Sequence, residues 1–370
     1  MTTKKSLSEL VPDYISSIRP YEPGKPVEEV ERELGIIAIK LASNENPFGP
    51  SPRALEAAMK FLGESHRYPD AGGYYLREDL SARHDIPREN IALGAGSTEL
   101  IQLLCRIYLG PGRLGLTSEG SFLMFELSAR AVGTQSLLAP LRDYTFDLEA
   151  LADRLDDRVR VLYIANPNNP TGTLVTASAL ERLLDRVPPD ALVILDEAYC
   201  DYVDHHDYTR SLEAVRAGRY LIVLRTFSKV HGLAGLRIGY GIGHPEIIAA
   251  LDRVRSPFNV SGLAMVAARA ALRDDDHVRR SVESNRRGRA FLAEELTRLG
   301  LKVVPSHANF LYVETGGEAL EAYQALLKEG VIIRPLGFMG MPRGLRVTVG
   351  TEVENHRIID AFSDFLQAHR

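Results

Sequence analysis

An α/β fold is predicted, with a mostly parallel sheet between helical layers and a smaller α+β unit behind it. Three observations carry this expectation: continuous Val/Ile/Leu runs in the middle of the chain, amphipathic helical patterns between them, and a change of pattern after Ser261. The first thirty residues are mixed in character and dotted with Pro12, Pro20, Pro23 and Pro26, so they read as an arm. RVRVLYIA (158–165), ALVILD (191–196) and YLIVLR (220–225) read as strands covered on both faces. Helical patterns such as ASALERLLDRV (177–187) lie between them, and that alternation requires crossovers and a parallel sheet. A long helical region runs from Ser261 to about Leu299. It is followed by LKVVPSHANFLYVET, GVIIRP and GLRVTVG as strand-like pieces, with a helix at 319–328 among them and a closing helix at 353–368. The expected organisation is an arm (1–30), a large unit (51–261) and a small unit made of 31–50 with 262–370.

The 370 residues include 44 Lys+Arg and 49 Asp+Glu, for a net charge of −5, with 45% hydrophobic and 25% charged residues. That much apolar surface excludes a disordered chain. The mild negative balance argues against nucleic-acid binding, which needs a basic face. Cys105 and Cys200 are the two cysteines, far apart and without metal-ligand spacing, so neither a disulfide scaffold nor a metal site is expected. The opening MTTKKSLSELVPDYISS has two lysines but no apolar run behind them, and no stretch reaches the ~18 apolar residues of a membrane span. A reducing, cytoplasmic setting without membrane contact is expected.

In an open parallel sheet, ligands bind beyond the carboxyl ends of the strands. IAL (91–93) is followed by GAGSTELIQLL, and RVRVLYIA by NPNNPTG (166–172). ALVIL ends in Asp196-Glu197-Ala198-Tyr199, and YLIVLR is followed by Thr226-Phe227-Ser228-Lys229. Singly, each has a plain reading: a glycine turn, a Pro/Asn loop, a helix cap, a solvated amine. The glycine turn is neither a P-loop nor a dinucleotide fingerprint, because Glu99 stands at the third glycine's place. Together, the four strand ends bring a hydroxyl-rich nest, an Asn, an Asp with a Tyr three residues on, and a Lys to one rim.

Pyridoxal phosphate chemistry needs that set. A lysine must form an imine, so its amine must lose its proton near neutral pH. A carboxylate must face the ring nitrogen so that the ring can take up electrons. A helix N-terminus with hydroxyls and an Arg must hold a phosphate of about −1.5 to −2 charge.

The chain resembles the fold-type I aminotransferases over nearly its whole length. The resemblance rests on RPYEPGKP (19–26), LASNENPFGPSP (41–52), RYPD (67–70), GAGSTELI (94–101), NPNNPTGT, DEAYCDY (196–202), RTFSKVHGLAGLRIGY (225–240) and LRVTVG (345–350). It implies pyridoxal 5'-phosphate as cofactor, with Lys229 as the imine-forming lysine and proton carrier and Asp196 at the ring nitrogen. Asn166 and Tyr199 would donate to the phenolic oxygen, and Phe122 would stack on the ring. Gly96, Ser97, Thr98, Thr226, Ser228 and Arg237 would cradle the phosphate. Tyr68 would reach it from a neighbouring subunit, which makes the active unit a homodimer. Arg346 would hold a substrate carboxylate, with Arg334, Tyr21 and Asn44 shaping the substrate end.

Two residues depart from the pattern. Gly120 stands where a Pro is expected before the stacking segment, and His231 stands where a Tyr is expected, as an aromatic replacement on a helix after the lysine.

The implied activity is ping-pong transamination between glutamate and imidazole acetol phosphate. Alternatives are an aminotransferase for aromatic or other amino acids and a phosphoamino-acid decarboxylase on the same scaffold. A cofactor-binding regulatory module would need an additional DNA-binding segment, for which the enzyme-like stretch leaves no room, and a dehydrogenase offers no task for Lys229.

Overall fold

The computed structural model describes residues 10–20 and 24–369. Its main sheet has seven strands: β1 (Ile91–Gly94), β2 (Leu114–Ser118), β3 (Ser136–Ala139), β4 (Val159–Ala165), β5 (Leu192–Asp196), β6 (Leu221–Thr226) and β7 (Gly239–Gly243). Their order is β1-β7-β6-β5-β4-β2-β3. The pairs from β6 to β3 are parallel, and β7 runs antiparallel to both of its neighbours. β4, β5 and β6 are the three apolar runs expected as strands. All five residues of β5 are buried, as strands sandwiched between helices must be.

A second sheet is built from β8 (Lys302–Val304), β9 (Phe310–Glu314), β10 (Arg334–Pro335) and β11 (Gly344–Thr348), in the order β8-β9-β11-β10. LKVVPSHANFLYVET is thus two antiparallel strands, not one. GVIIRP also divides: Val331–Ile332 pairs in parallel with Ile39–Lys40, and only Arg334–Pro335 joins the second sheet. The helix Ala319–Lys328 lies where expected, and the closing helix Glu352–Ala368 starts with a Thr351/Glu354 capping box.

Two cores follow. The large one packs both faces of the main sheet, and the small one gathers Leu41 with Leu292, Leu311, Val347, Ile358 and Phe362. The helix Gly262–Ala271, expected in the small unit, buries Ala264, Ala267, Ala268 and Ala271 in the large core. Its alanine face lies against the helix Pro52–Phe61, which explains the placement. Val30, expected in the arm, is buried with Ala38, Ala42 and Ile332.

Among the described residues no helix is long and apolar enough to cross a membrane, and no group of His, Cys, Asp and Glu could hold a metal ion. Cys105 and Cys200 are free.

Candidate active site

The carboxyl ends of β4, β5 and β6 open into a cavity of about 240 Å³ between the two sheets. Each strand end supplies its wall for a local reason. Asp196 is the last residue of β5 and pairs in register with Ala165, the last of β4. β6 ends at Thr226, and the turn after it is tied by a Ser228 N–H bond to Thr226 Oγ1 at 3.1 Å and by the two hydroxyls at 3.0 Å. That turn carries Lys229 to the cavity wall, where Nζ donates to the Ser43 carbonyl at 3.2 Å.

Burial pushes the Lys229 amine down to about 7, and the Arg346 guanidinium adds to the effect. Burial raises the Asp196 carboxyl to about 6, against the hydrogen bonds of the Tyr163 hydroxyl (2.8 Å, to Oδ2) and the Ala198 N–H (3.1 Å, to Oδ1).

Ser97 and Thr98 open the helix Ser97–Tyr108, whose N-terminus carries no side-chain cap, so its amides are free to meet an anion. Gly96 precedes it at φ +82°, and a Cβ there would lie 2.5 Å from Arg237 Nη2. The missing side chain is the space in which Arg237 sits. Gly239 of β7 is equally constrained, since a Cβ would stand 2.7 Å from the Ser97 amide nitrogen. Amide nest, two hydroxyls and guanidinium thus converge without a methyl group in the way, as a phosphate requires. With Lys229 and Asp196 on the same cavity, the donor set fits pyridoxal phosphate.

Across the cavity stand two guanidinium groups. Arg334 and Arg346 are direct register partners in β10 and β11, both are buried, and both line the cavity. Arg346 donates to Asn169 Oδ1 at 2.7 Å and to the Ala42 carbonyl at 2.5 Å, and Arg334 lies over the Phe338 ring at 4.4 Å. Tyr199 lines the wall, and its hydroxyl accepts from Asn44 Nδ2 at 2.9 Å. Asn44 takes φ +58° and is anchored by Thr348 and by Asn309 Nδ2, which donates to its carbonyl. Phe122 also lines the cavity.

The structure does not bring Asn166 to the wall. Its Nδ2 donates to the Val175 carbonyl at 2.9 Å and its Oδ1 accepts the Val175 N–H at 3.0 Å, so its amide pins the NPNNPTG loop. Asn169, three residues on, lines the cavity instead. A loop with three asparagines offers no periodicity to choose among them.

Tyr68 is 83% exposed, stacks on Phe258 at 4.7 Å, and is absent from this cavity. Tyr21 lies outside the described residues. His231 is buried against Phe227, in a turn closed by the Gly232 N–H to the Lys229 carbonyl and not on a helix. Gly120 holds φ +58°, which a proline could not adopt.

Sequence reasoning also missed Tyr163. Its sign was a phenol inside the apolar run VLYIA that ends the strand, two residues before the position that pairs with Asp196 and hence on the same face.

The fold and site define a class of protein, and comparison with known sequences agrees: residues 36–362 match the family model for aminotransferase class I and II, and the chain belongs to that family. It is a fold-type I α/β aminotransferase. The histidinol-phosphate aminotransferase of Moorella thermoacetica is 47% identical over 354 residues, 95% of this chain and 92% of that one. That of an Anaeromyxobacter species is 45% identical over 97% of this chain and all of its own. The crystal structure of histidinol-phosphate aminotransferase from Sinorhizobium meliloti, in complex with pyridoxal-5'-phosphate, matches with a TM-score of 0.90 at 27% identity, covering 100% of both chains.

Proposed function

We infer that this chain transfers amino groups between glutamate and 2-oxoglutarate on one side and L-histidinol phosphate and imidazole acetol phosphate on the other, a step of histidine biosynthesis. The observation that carries the reading is one cavity holding a lysine with a lowered pKa, a buried carboxylate, an anion nest and two facing guanidinium groups. Full-length relatives named histidinol-phosphate aminotransferase support it.

When bound, pyridoxal phosphate supplies an aldehyde carbon that exchanges amino groups and a ring that accepts electrons from a deprotonated carbon. Ser97, Thr98, Thr226, Ser228 and Arg237 would hold its phosphate. Asp196 would hold a proton at its ring nitrogen, Tyr199 and Asn169 would hold its phenolic oxygen, and Phe122 would lie on its face. Lys229 Nζ, with a substantial unprotonated fraction at neutral pH, is the nucleophile and then carries the proton taken from the substrate's α-carbon. Arg346 and Arg334 bind a carboxylate in one half-reaction and a phosphate ester in the other, because a guanidinium fork is bidentate to either anion. Asn44 orients Tyr199.

The enzyme works as a cytoplasmic homodimer in this reading. Leu55, Met59, Leu62, Tyr68, Tyr74 and Tyr75 are large exposed side chains on neighbouring segments. In this reading a second copy covers them, and Tyr68 reaches the partner's phosphate site. The division into a large and a small unit, with its second boundary near 272, belongs to the same proposal.

A half-reaction assay tests the function. The coloured holoenzyme is mixed with single amines. Bleaching by both glutamate and L-histidinol phosphate is expected, and bleaching by phenylalanine but not histidinol phosphate would favour the aromatic alternative.

A further inference from the structure

We propose that Tyr163 is a positioning residue for the reaction: its hydroxyl holds Asp196 as a carboxylate aimed at the cavity and so sets how firmly Asp196 keeps a proton on the cofactor's ring nitrogen. The proposal rests on the transaminase reading above.

Tyr163 is fully buried in the middle of β4, and its hydroxyl donates to Asp196 Oδ2 at 2.8 Å. Its ring lies flat on Phe125, with centroids 4.9 Å apart and planes 8° from parallel, so the donor cannot tilt away. Phenylalanine would fill that space without a polar atom, and a strand whose other buried residues are Val, Leu, Ile and Ala has no packing need for a phenol. Asp196 is faced by Tyr163, the Ala198 N–H, Glu197 and Lys229, and Tyr163 is faced by Asp196, Tyr199 and Cys105. Among the described residues Tyr163 is the side chain that donates to the carboxylate, while the Ala198 amide serves the other oxygen.

Burial favours the neutral acid, and a hydroxyl donor opposes it by stabilising the charged form. A neutral Asp196 could not balance a protonated ring. Tyr163 therefore decides the pH at which Asp196 becomes useful. Because Asp196 ends β5 and Tyr163 lies on the neighbouring strand, the orientation is built into the parallel pairing and does not depend on a loop.

The test uses the full chain freed of cofactor. The dissociation constant of pyridoxal phosphate is titrated by absorbance and fluorescence between pH 5 and 8 for the native protein, Tyr163→Phe, Asp196→Asn and the double variant. Tyr163→Phe should move the acid limb of binding up by about one pH unit and raise the dissociation constant at pH 6 roughly tenfold. It should lower kcat with little change in the KM for glutamate, and it should add nothing in the Asp196→Asn background. Placing 3-fluorotyrosine at 163, a stronger donor of the same shape, should move the limb down and serves if Tyr163→Phe folds poorly. An unchanged acid limb in both variants, with only the melting temperature altered, would overturn the proposal and leave the transaminase reading intact. An Asp196→Asn protein that binds cofactor like the native one would overturn the reading of the site and the proposal with it.

Discussion

Lys229 is a nucleophile at neutral pH because burial, with Arg346 adding to it, brings its amine down to about 7. An ordinary lysine would be almost wholly protonated there. Below pH 7 the amine is increasingly protonated, and below about 6 Asp196 gains a proton as well, so both groups disfavour cofactor capture in acid. The rate constant for capture by the cofactor-free protein should therefore rise from pH 5 to 8, by up to ~10-fold per unit while Lys229 is mainly protonated. Stopped-flow absorbance measures it, and a flat profile would contradict the site. Arg346 shows the same economy of placement, tied to Asn169 and the Ala42 carbonyl while lining the cavity. Leaving an anion unmatched in such a site costs on the order of 2–5 kcal/mol. Arg346→Ala should thus lose ~30-fold or more in kcat/KM for each substrate; steady-state kinetics with unchanged values would remove its role.

Among the elements, the helix Ser97–Tyr108 and β7 matter most, because they meet at the phosphate nest through glycines. Gly96→Ala would force a methyl group onto Arg237 at a left-handed φ. Such strain is of order 1–3 kcal/mol, so the cofactor should bind ~5- to 100-fold more weakly while the chain still folds. Titration of the apoprotein checks this, and native affinity would show that the nest does not depend on the glycine. The same glycines explain what the sequence hid. β4, β5 and β6 were legible as long apolar runs, whereas β7 reads Gly-Tyr-Gly-Ile-Gly and has no such run to mark its extent. Its glycines answer to the Ser97 backbone and Ile222, which are distant in sequence. β2 and β3 were not anticipated either, being short and mixed (LGLTS, SLLA) and defined by their neighbours. In the site, residues at strand ends were legible: Asp196, Tyr199, Thr226, Ser228 and Lys229. Asn169 and Tyr163 were not, because one depends on how a loop folds back and the other on strand register.

For the whole molecule, the proposed homodimer would cover exposed aromatic side chains such as Tyr68 and Phe258. The solution mass should be twice the 40.9 kDa of the chain by light scattering. Tyr68→Ala should weaken cofactor retention although the cavity of its own chain does not include it. A monomer with full cofactor affinity would contradict both statements.

Asn44 bridges residues that flank the second sheet and the end of β5. It is gripped by Thr348 and Asn309, and its amide reaches the Tyr199 hydroxyl. Arg346 lies on the same strand as Thr348, two residues earlier. The anion-binding end of the cleft and the phenol thus share one short tether, which runs from Arg346 to Thr348 along the strand and from Thr348 through Asn44 to Tyr199 by hydrogen bonds.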